Sequence, residues 1–126
     1  MLTNPRSDRV KAVRALTKRS VRTRTGRFVV EGPQGVREAV RHASERVVDV
    51  YATVASARRY AADIIEPARA AGLYVHEASE EVVAAMSDAD SPQGVLAVVN
   101  DEPASLDGVL AARPALLVLL THVRDP

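Results

Sequence analysis

Four short apolar segments alternate with segments of helical character between residues 27 and 99, and this alternation restricts the possible folds more than any other feature. The intervening segments carry apolar residues at helical spacing and begin at residues favoured near helix starts, namely Pro33, Ser56 and Ser79. We therefore expect an α/β fold, a three-layer α/β/α sandwich whose four-stranded sheet is mainly parallel or mixed. The predicted strands are residues 27–31, 47–54, 73–77 and 95–99.

Composition divides the chain into four parts. Residues 1–26 are predicted to form a basic N-terminal helical arm, and residues 27–100 form the sandwich domain. Residues 101–114, with two prolines and three acids, are typical of a linker. Residues 115–126 begin with a fully apolar strand, which requires cover on both faces. We therefore expect residues 115–126 to be the truncated start of a second domain, cut one strand in.

Positive charge is concentrated at the start of the chain, although the net charge is only +1. Residues 1–27 hold nine Lys or Arg against one acid, and residues 28–126 hold eight against fifteen, so charges of +8 and −7 sum to +1. A basic segment on an acidic body predicts a surface that binds a polyanion, most simply a nucleic acid. A solvated Arg-rich helix without a ligand is the alternative that the charge pattern leaves open.

The basic arm is expected to be helical from about Ser7 to a stop at Gly26. Val10, Val13 and Leu16 recur at helical spacing and predict its buried side. If the helix is continuous, four of its cations fall within an arc of about 80° on another face, namely Lys11, Arg14, Lys18 and Arg22. These four, with two neighbours that extend the positive region, are the predicted phosphate contacts for a nucleic acid: Lys11, Arg14, Lys18, Arg19, Arg22 and Arg24.

Residue types that carry catalysis or bind metals are absent or dispersed. The chain has no cysteine, and its three histidines, His42, His76 and His122, lack the spacing of metal ligands. Known phosphate-binding and nucleophile motifs are also absent, so no catalytic, cofactor or metal residue is predicted. The turn at residues 32–35 favours a structural role over an anion site, because Pro33 removes one amide donor.

A membrane-spanning segment and a secretory signal are not predicted either. The longest useful apolar run, residues 115–120, is far shorter than the ~20 residues that cross a bilayer. The N-terminus carries charges without an apolar core segment. We therefore expect a cytoplasmic protein with no membrane partner.

Two motifs and a third segment near the end of the chain resemble those of a known enzyme family. Residues 26–40, Gly-Arg-Phe-Val-Val-Glu-Gly-Pro-Gln-Gly-Val-Arg-Glu-Ala-Val, resemble the G-x-F-x-V-E-G-x-x-x-V-x-E-A signature of the SpoU/TrmH group. Residues 93–99, Gln-Gly-Val-Leu-Ala-Val-Val, are similar to its Q-G-V-x-A-V segment. Residues 116–126 are similar to the first strand and motif of its methyltransferase domain. The group comprises RNA 2′-O-ribose methyltransferases of the SPOUT superfamily.

The resemblance implies a specific role for this chain. Residues 27–100 would be the substrate-binding domain, with the fold of ribosomal and kink-turn-binding proteins, and the partner would be rRNA or tRNA. The full-length parent would use S-adenosylmethionine and form a homodimer through its methyltransferase domain. The residues that bind the cofactor and act beside the methyl group would lie beyond Pro126, so the chain by itself is expected to bind no cofactor and to be inactive.

Two other functions remain open from the sequence. The chain would be a stand-alone RNA-binding protein of the ribosomal type if the strand at residues 115–120 packed within the same domain. It would be an interaction module if the basic arm docked on an acidic protein.

Overall fold

A four-stranded sheet with helices on both faces forms the core of the computed structural model, which describes residues 1–89 and 92–101. The helices are Asp8–Ala15 (α1), Arg19–Thr25 (α2), Pro33–His42 (α3), Val54–Arg59 (α4), Glu66–Ala70 (α5) and Glu80–Met86 (α6). The strands are Arg27–Glu31 (β1), Val47–Ala52 (β2), Val75–Glu77 (β3) and Val95–Asn100 (β4). A 3₁₀ turn, Ser44–Arg46, precedes β2, and a π-helical turn, Ala61–Ile65, joins α4 to α5.

The strands lie in the order β1-β4-β2-β3, and the sheet is mixed. β2 and β3 are parallel, whereas β4 runs antiparallel to both β1 and β2. The expected α/β/α sandwich with a mainly parallel or mixed sheet is confirmed, and the sheet has the mixed form. Alternation of strands and helices predicted the elements, but it carries no information about the direction in which β4 enters the sheet.

The direction of β4 follows from contacts at the end of β1. The Glu31 carboxylate accepts hydrogen bonds from the Ser87 hydroxyl and, at 2.9 Å, from the Asp88 amide. These bonds hold the chain that leaves α6 beside the last residue of β1. The chain therefore enters β4 where β1 ends, and Gly32 N–H donates to Val95 O at 3.0 Å. A strand that starts beside the end of its neighbour must run antiparallel to it.

Two apolar cores lie on opposite sides of the sheet. On one side α3, the π-helical turn and α5 pack on the sheet, and the predicted inward residues Val36, Ala39 and Val40 are buried there. On the other side α1 and α6 cover the sheet. Strand β4 supplies both cores because successive side chains of a strand point to opposite faces. Its even-numbered Leu96 and Val98 join the α1–α6 side.

The helices differ from the predicted ones at two places. The predicted helix at 56–71 begins earlier, after Thr53, whose side chain accepts from the Ser56 amide. Pro67 interrupts this helix as expected, because the chain makes a π-helical turn before α5. The basic arm forms two helices, α1 and α2, instead of one. The predicted linker beyond Asp101 and the predicted strand at 115–120 lie outside the described residues.

Candidate nucleic-acid interface

The basic arm is attached to the sheet through the apolar side of α1. Ser7 caps this helix, since its hydroxyl accepts from the Val10 amide at 3.3 Å. Val10, Val13 and Leu16 are all buried in the core against α6, as the sequence predicts. At 100° per residue these three positions place Lys11 on the opposite, solvent side of α1. The apolar contacts therefore fix α1 in place while its outer face stays free for a ligand.

Arg14 lies at the flank of α1 and contacts the segment that follows α6. Its Nη1 donates to the Ser87 carbonyl and lies 3.5 Å from an oxygen of Asp88. Ser87 in turn donates to Glu31, so Arg14 ties α1 to the junction between β1 and β4. Arg14 therefore has a structural role in addition to any contact with RNA.

Arg22 bonds back to the segment that connects α1 to α2. Its Nη1 donates to the carbonyls of Leu16 and Thr17, at 3.0 and 2.8 Å. Helix termini leave carbonyls without helical partners, and Arg22 supplies partners for two of them. The sequence placed four cations on one helical face, namely Lys11, Arg14, Lys18 and Arg22. Because α1 ends at Ala15, these four residues do not share one continuous helical face. The guanidinium of Arg22 is directed back to the chain that precedes α2.

Four of the six predicted contact residues project from the arm without internal partners. Their side chains are exposed, and no hydrogen bond or ion pair joins them to any residue in 1–89 or 92–101. These are Lys11, Lys18, Arg19 and Arg24, which we call the free cations. Unpaired exposed cations are available to phosphate at little desolvation cost, and such contacts position RNA without reading its sequence.

A polar cluster beside β3 was not predicted as part of the site. Arg9, on the sheet-facing side of α1, donates to the Tyr51 hydroxyl at 3.3 Å and lies 3.4 Å from Nε2 of His76. Nε2 of His76 is also 2.7 Å from an oxygen of Asp49. Because a carboxylate accepts hydrogen bonds, this short contact places the imidazole N–H on Nε2. Arg9 therefore lies beside a fixed imidazole at one end of the sheet.

The electrostatics of this cluster keep its phenol neutral and its guanidinium charged. Burial raises the pKa of Tyr51 above its ordinary value, and the hydrogen bond from Arg9 acts in the opposite direction. The same hydrogen bond to Tyr51 raises the pKa of Arg9. The cluster therefore presents a permanent cation next to the neutral phenol of Tyr51.

A sequence signal for this cluster exists, although it is incomplete. Asp49 and Tyr51, like Tyr74 and His76, are two residues apart in predicted strands, which places each pair on one face of the sheet. Arg9 was counted in the charge of the basic arm. What the sequence does not contain is the pairing of β2 with β3, which brings Tyr51 opposite His76.

The two motifs of the family signature meet at the start of β4. Gly32 has a φ of +90°, and a Cβ there would lie 2.9 Å from Oε1 of Gln93. Gly94 has a φ of +81°, and a Cβ there would lie 2.2 Å from the Ser56 hydroxyl oxygen. The turn at residues 32–35 thus has the structural role that the sequence favours. Gly32 is required because its φ is positive, and Gly94 is required also because its backbone closely approaches the Ser56 side chain.

Metal and membrane features are not found in the described part of the chain. Within residues 1–89 and 92–101 no three His, Asp or Glu side chains are grouped so as to hold a metal ion. His42 lies 3.3 Å from Glu38, and His76 lies beside Asp49, so each of these histidines has a different acidic neighbour. His122 lies outside the described residues. Among those same residues no helix is long and apolar enough to cross a membrane.

Residues 7–97 match the family described as MRM3-like substrate binding domain. The chain belongs to this family. The match begins at the cap of α1 and ends inside β4, so the MRM3-like domain includes both helices of the basic arm. A comparison with curated protein sequences gives no match.

Solved structures of RNA methyltransferases share the fold of this MRM3-like domain. An rRNA methyltransferase from Sinorhizobium meliloti with AdoMet bound is 24% identical, with a TM-score of 0.64 over 83% of this chain and 38% of that one. An RNA 2′-O ribose methyltransferase is 22% identical, with a TM-score of 0.61 over 83% of this chain and 39% of that one. An RNA methyltransferase of the TrmH family from Porphyromonas gingivalis is 26% identical, with a TM-score of 0.58 over 77% and 37%.

These comparisons confirm the resemblance to the SpoU/TrmH group that the motifs indicated. The chain spans less than two fifths of the length of these solved structures.

Proposed function

We propose that this chain binds structured RNA as the substrate-binding domain of an S-adenosylmethionine-dependent RNA 2′-O-ribose methyltransferase. The observation that carries the proposal is the match of residues 7–97 to a substrate-binding domain family, in which the basic arm is included. The substrate is rRNA or tRNA, the parent enzyme acts as a cytoplasmic homodimer through its methyltransferase domain, and the chain alone is inactive.

The free cations supply the RNA contacts in this proposal. Lys11, Lys18, Arg19 and Arg24 are exposed and without internal partners among the described residues, so phosphates can replace water around them. Arg14 and Arg22 contribute less to RNA binding, because their guanidinium groups already form hydrogen bonds within the protein. The domain would hold RNA in register, so that a ribose 2′-OH meets the methyl donor in the correct geometry.

Contacts within the domain support a parent enzyme in which another domain holds the cofactor. Three polar side chains buried at the end of the sheet already bond within the domain: Thr53 accepts from the Ser56 amide, Ser56 donates to Gln93 O, and Ser87 donates to Glu31. We therefore assign the cofactor to the methyltransferase domain of the parent.

A charge-reversal experiment tests the proposal. We expect the Lys11→Glu, Lys18→Glu, Arg19→Glu triple variant to lose at least about 100-fold in affinity for a structured RNA, measured by fluorescence anisotropy. The slope of log affinity against log salt should fall by about 2 to 3, because each lost phosphate contact removes about 0.9 from the slope. Arg14 is left unchanged, because reversing its charge would also disturb its bonds to the segment after α6.

A matched control carries the same change of charge on the opposite side of the sheet. The Arg58→Glu, Arg59→Glu, Arg69→Glu variant alters three exposed cations of α4 and α5. We expect it to retain RNA affinity within about threefold, since long-range charge effects are screened at physiological salt. Equal loss in both variants, or no binding by the unaltered chain, contradicts the proposal. Binding of an acidic protein that RNA fails to displace would instead support an interaction module.

A further inference from the structure

Three aromatic rings are arranged in a series that runs from the core to solvent along β2 and β3. The Tyr51 and His76 rings stack with their centroids 5.0 Å apart and their planes at 22°. The His76 and Tyr74 rings follow at 6.1 Å and 21°. Tyr51 is 1% exposed and Tyr74 is 73% exposed. We call Tyr51, His76 and Tyr74 the ring series; its inner end is fixed in the core and its outer end is open.

The middle ring of the series is held in place from its edge. Asp49 accepts from Nε2 of His76 at 2.7 Å, and both side chains are about one quarter exposed. The ring of Tyr51 packs against one face of the imidazole, so His76 has little rotational freedom. Tyr74 is held through its backbone, because its carbonyl accepts from the Val50 amide at 3.0 Å. The backbone of Tyr74 is therefore fixed, and its ring lies beside a fixed imidazole.

The ring series is continuous with the basic arm. Arg9 of α1 contacts both Tyr51 and His76 and remains cationic. The first residues of the chain run along the same edge of the sheet, where Leu2 pairs with Ala78 beside β3. Arg9 is thus the part of the basic arm that adjoins the ring series. Stacked rings beside a cation are the combination with which proteins hold unpaired bases.

We propose that Tyr74, supported by His76 and flanked by Arg9, is a stacking site for an unpaired nucleobase of the bound RNA. This inference rests on the proposed RNA-binding function and adds to it a preference for RNA with an exposed, unstacked base. The free cations bind the backbone wherever it is presented, whereas the ring series binds only a base that has left its helix. A-form duplexes keep their bases stacked, so they offer nothing to Tyr74.

The test compares Tyr74→Ala with Tyr74→Phe in the full chain. The probes are an RNA hairpin with 2-aminopurine in its loop and a fully paired RNA duplex of equal charge. We expect Tyr74→Ala to weaken hairpin binding by about 5- to 100-fold and to abolish the change in 2-aminopurine fluorescence on binding. Tyr74→Phe keeps an aromatic ring and should retain both. Duplex affinity and the salt slope should be unchanged in either variant, since no phosphate contact is removed.

Controls separate this inference from the proposed function. Val54→Ala changes another exposed apolar side chain at the opposite end of the sheet and should leave hairpin binding unchanged. If the unaltered chain binds neither RNA, the proposed function fails. If it binds both but Tyr74→Ala binds the hairpin equally well, or loses hairpin and duplex alike, the stacking site is overturned. If Tyr74→Ala instead loses an acidic peptide and no RNA, the ring series serves a protein partner and the inference is wrong.

Discussion

Gly72 and Gly94 have the same backbone φ of +81° but different surroundings. Substitution of each therefore separates the cost of backbone strain from the cost of steric contact with a neighbouring side chain. A Cβ at Gly72 meets no atom within 4 Å, whereas at Gly94 it would lie 2.2 Å from the Ser56 hydroxyl oxygen and 3.0 Å from that of Thr53. We expect Gly72→Ala to cost about 1 kcal/mol through backbone strain alone. Gly94→Ala should cost about 1–3 kcal/mol more, because the displaced Ser56 also loses its bond to Gln93 O.

Urea denaturation of both variants measures this difference in the free energy of unfolding. Equal costs for Gly72→Ala and Gly94→Ala would show that the close approach to Ser56 contributes nothing. At the residue scale the sequence places Gly94 in a motif similar to a family segment, and it does not show why that position requires glycine. It did not predict Ser56 as the neighbour, because the two residues are distant in the chain and meet only through the sheet.

At the scale of elements, Arg22 and Arg24 allow the connection between α1 and α2 to be tested. Both are in the last turn of α2, but Arg22 donates to two carbonyls after α1, whereas Arg24 is exposed and without a partner among the described residues. We expect Arg22→Ala to destabilise the domain by about 1–2 kcal/mol, because two part-buried carbonyls lose a charged donor. Arg24→Ala should change stability by less than about 0.5 kcal/mol. Thermal unfolding followed by circular dichroism measures both, and equal shifts would contradict the structural role of Arg22.

The elements differ in how far their sequences predict them. Strand β1 has the predicted bounds, since its apolar run lies between Gly26 and Gly32 and both glycines have positive φ. The division of the basic arm into α1 and α2 was not predicted, because the guanidinium that bonds to the carbonyls between them is five and six residues away. A periodic pattern records which side of a helix is apolar, and it does not record a side chain that bonds back to the carbonyls of the preceding turn.

At the scale of the whole molecule, the basic arm is a component of the fold as well as a charged surface. Val10, Val13 and Leu16 are buried on the face of the sheet that α6 covers only in part. Burial of each such side chain contributes about 1.5–3 kcal/mol, and a domain of this size has a total stability of about 5–15 kcal/mol. We therefore expect deletion of residues 1–26 to abolish cooperative unfolding and to expose apolar surface to the dye ANS.

The charge-reversed variant of Lys11, Lys18 and Arg19 is the control for this deletion. It should melt cooperatively near the temperature of the unaltered chain, because its three changed side chains are exposed. Cooperative melting of the deleted chain at the same temperature would mean that α1 contributes no stability.

The order of the strands limits when the sheet can form during synthesis of the chain. Strand β4 occupies an interior position between β1 and β2, yet it is made after both, and Arg27 meets Asn100 across 73 positions of sequence. At a synthesis rate of about 5–20 residues per second, roughly 4–14 s pass between the synthesis of β1 and that of β4. Throughout that interval the apolar side chains of β1 and α1 lack the surface they will finally cover. We therefore expect the first segments to remain without their final partners until β4 is made, and contacts of such long range also favour slow refolding in the test tube.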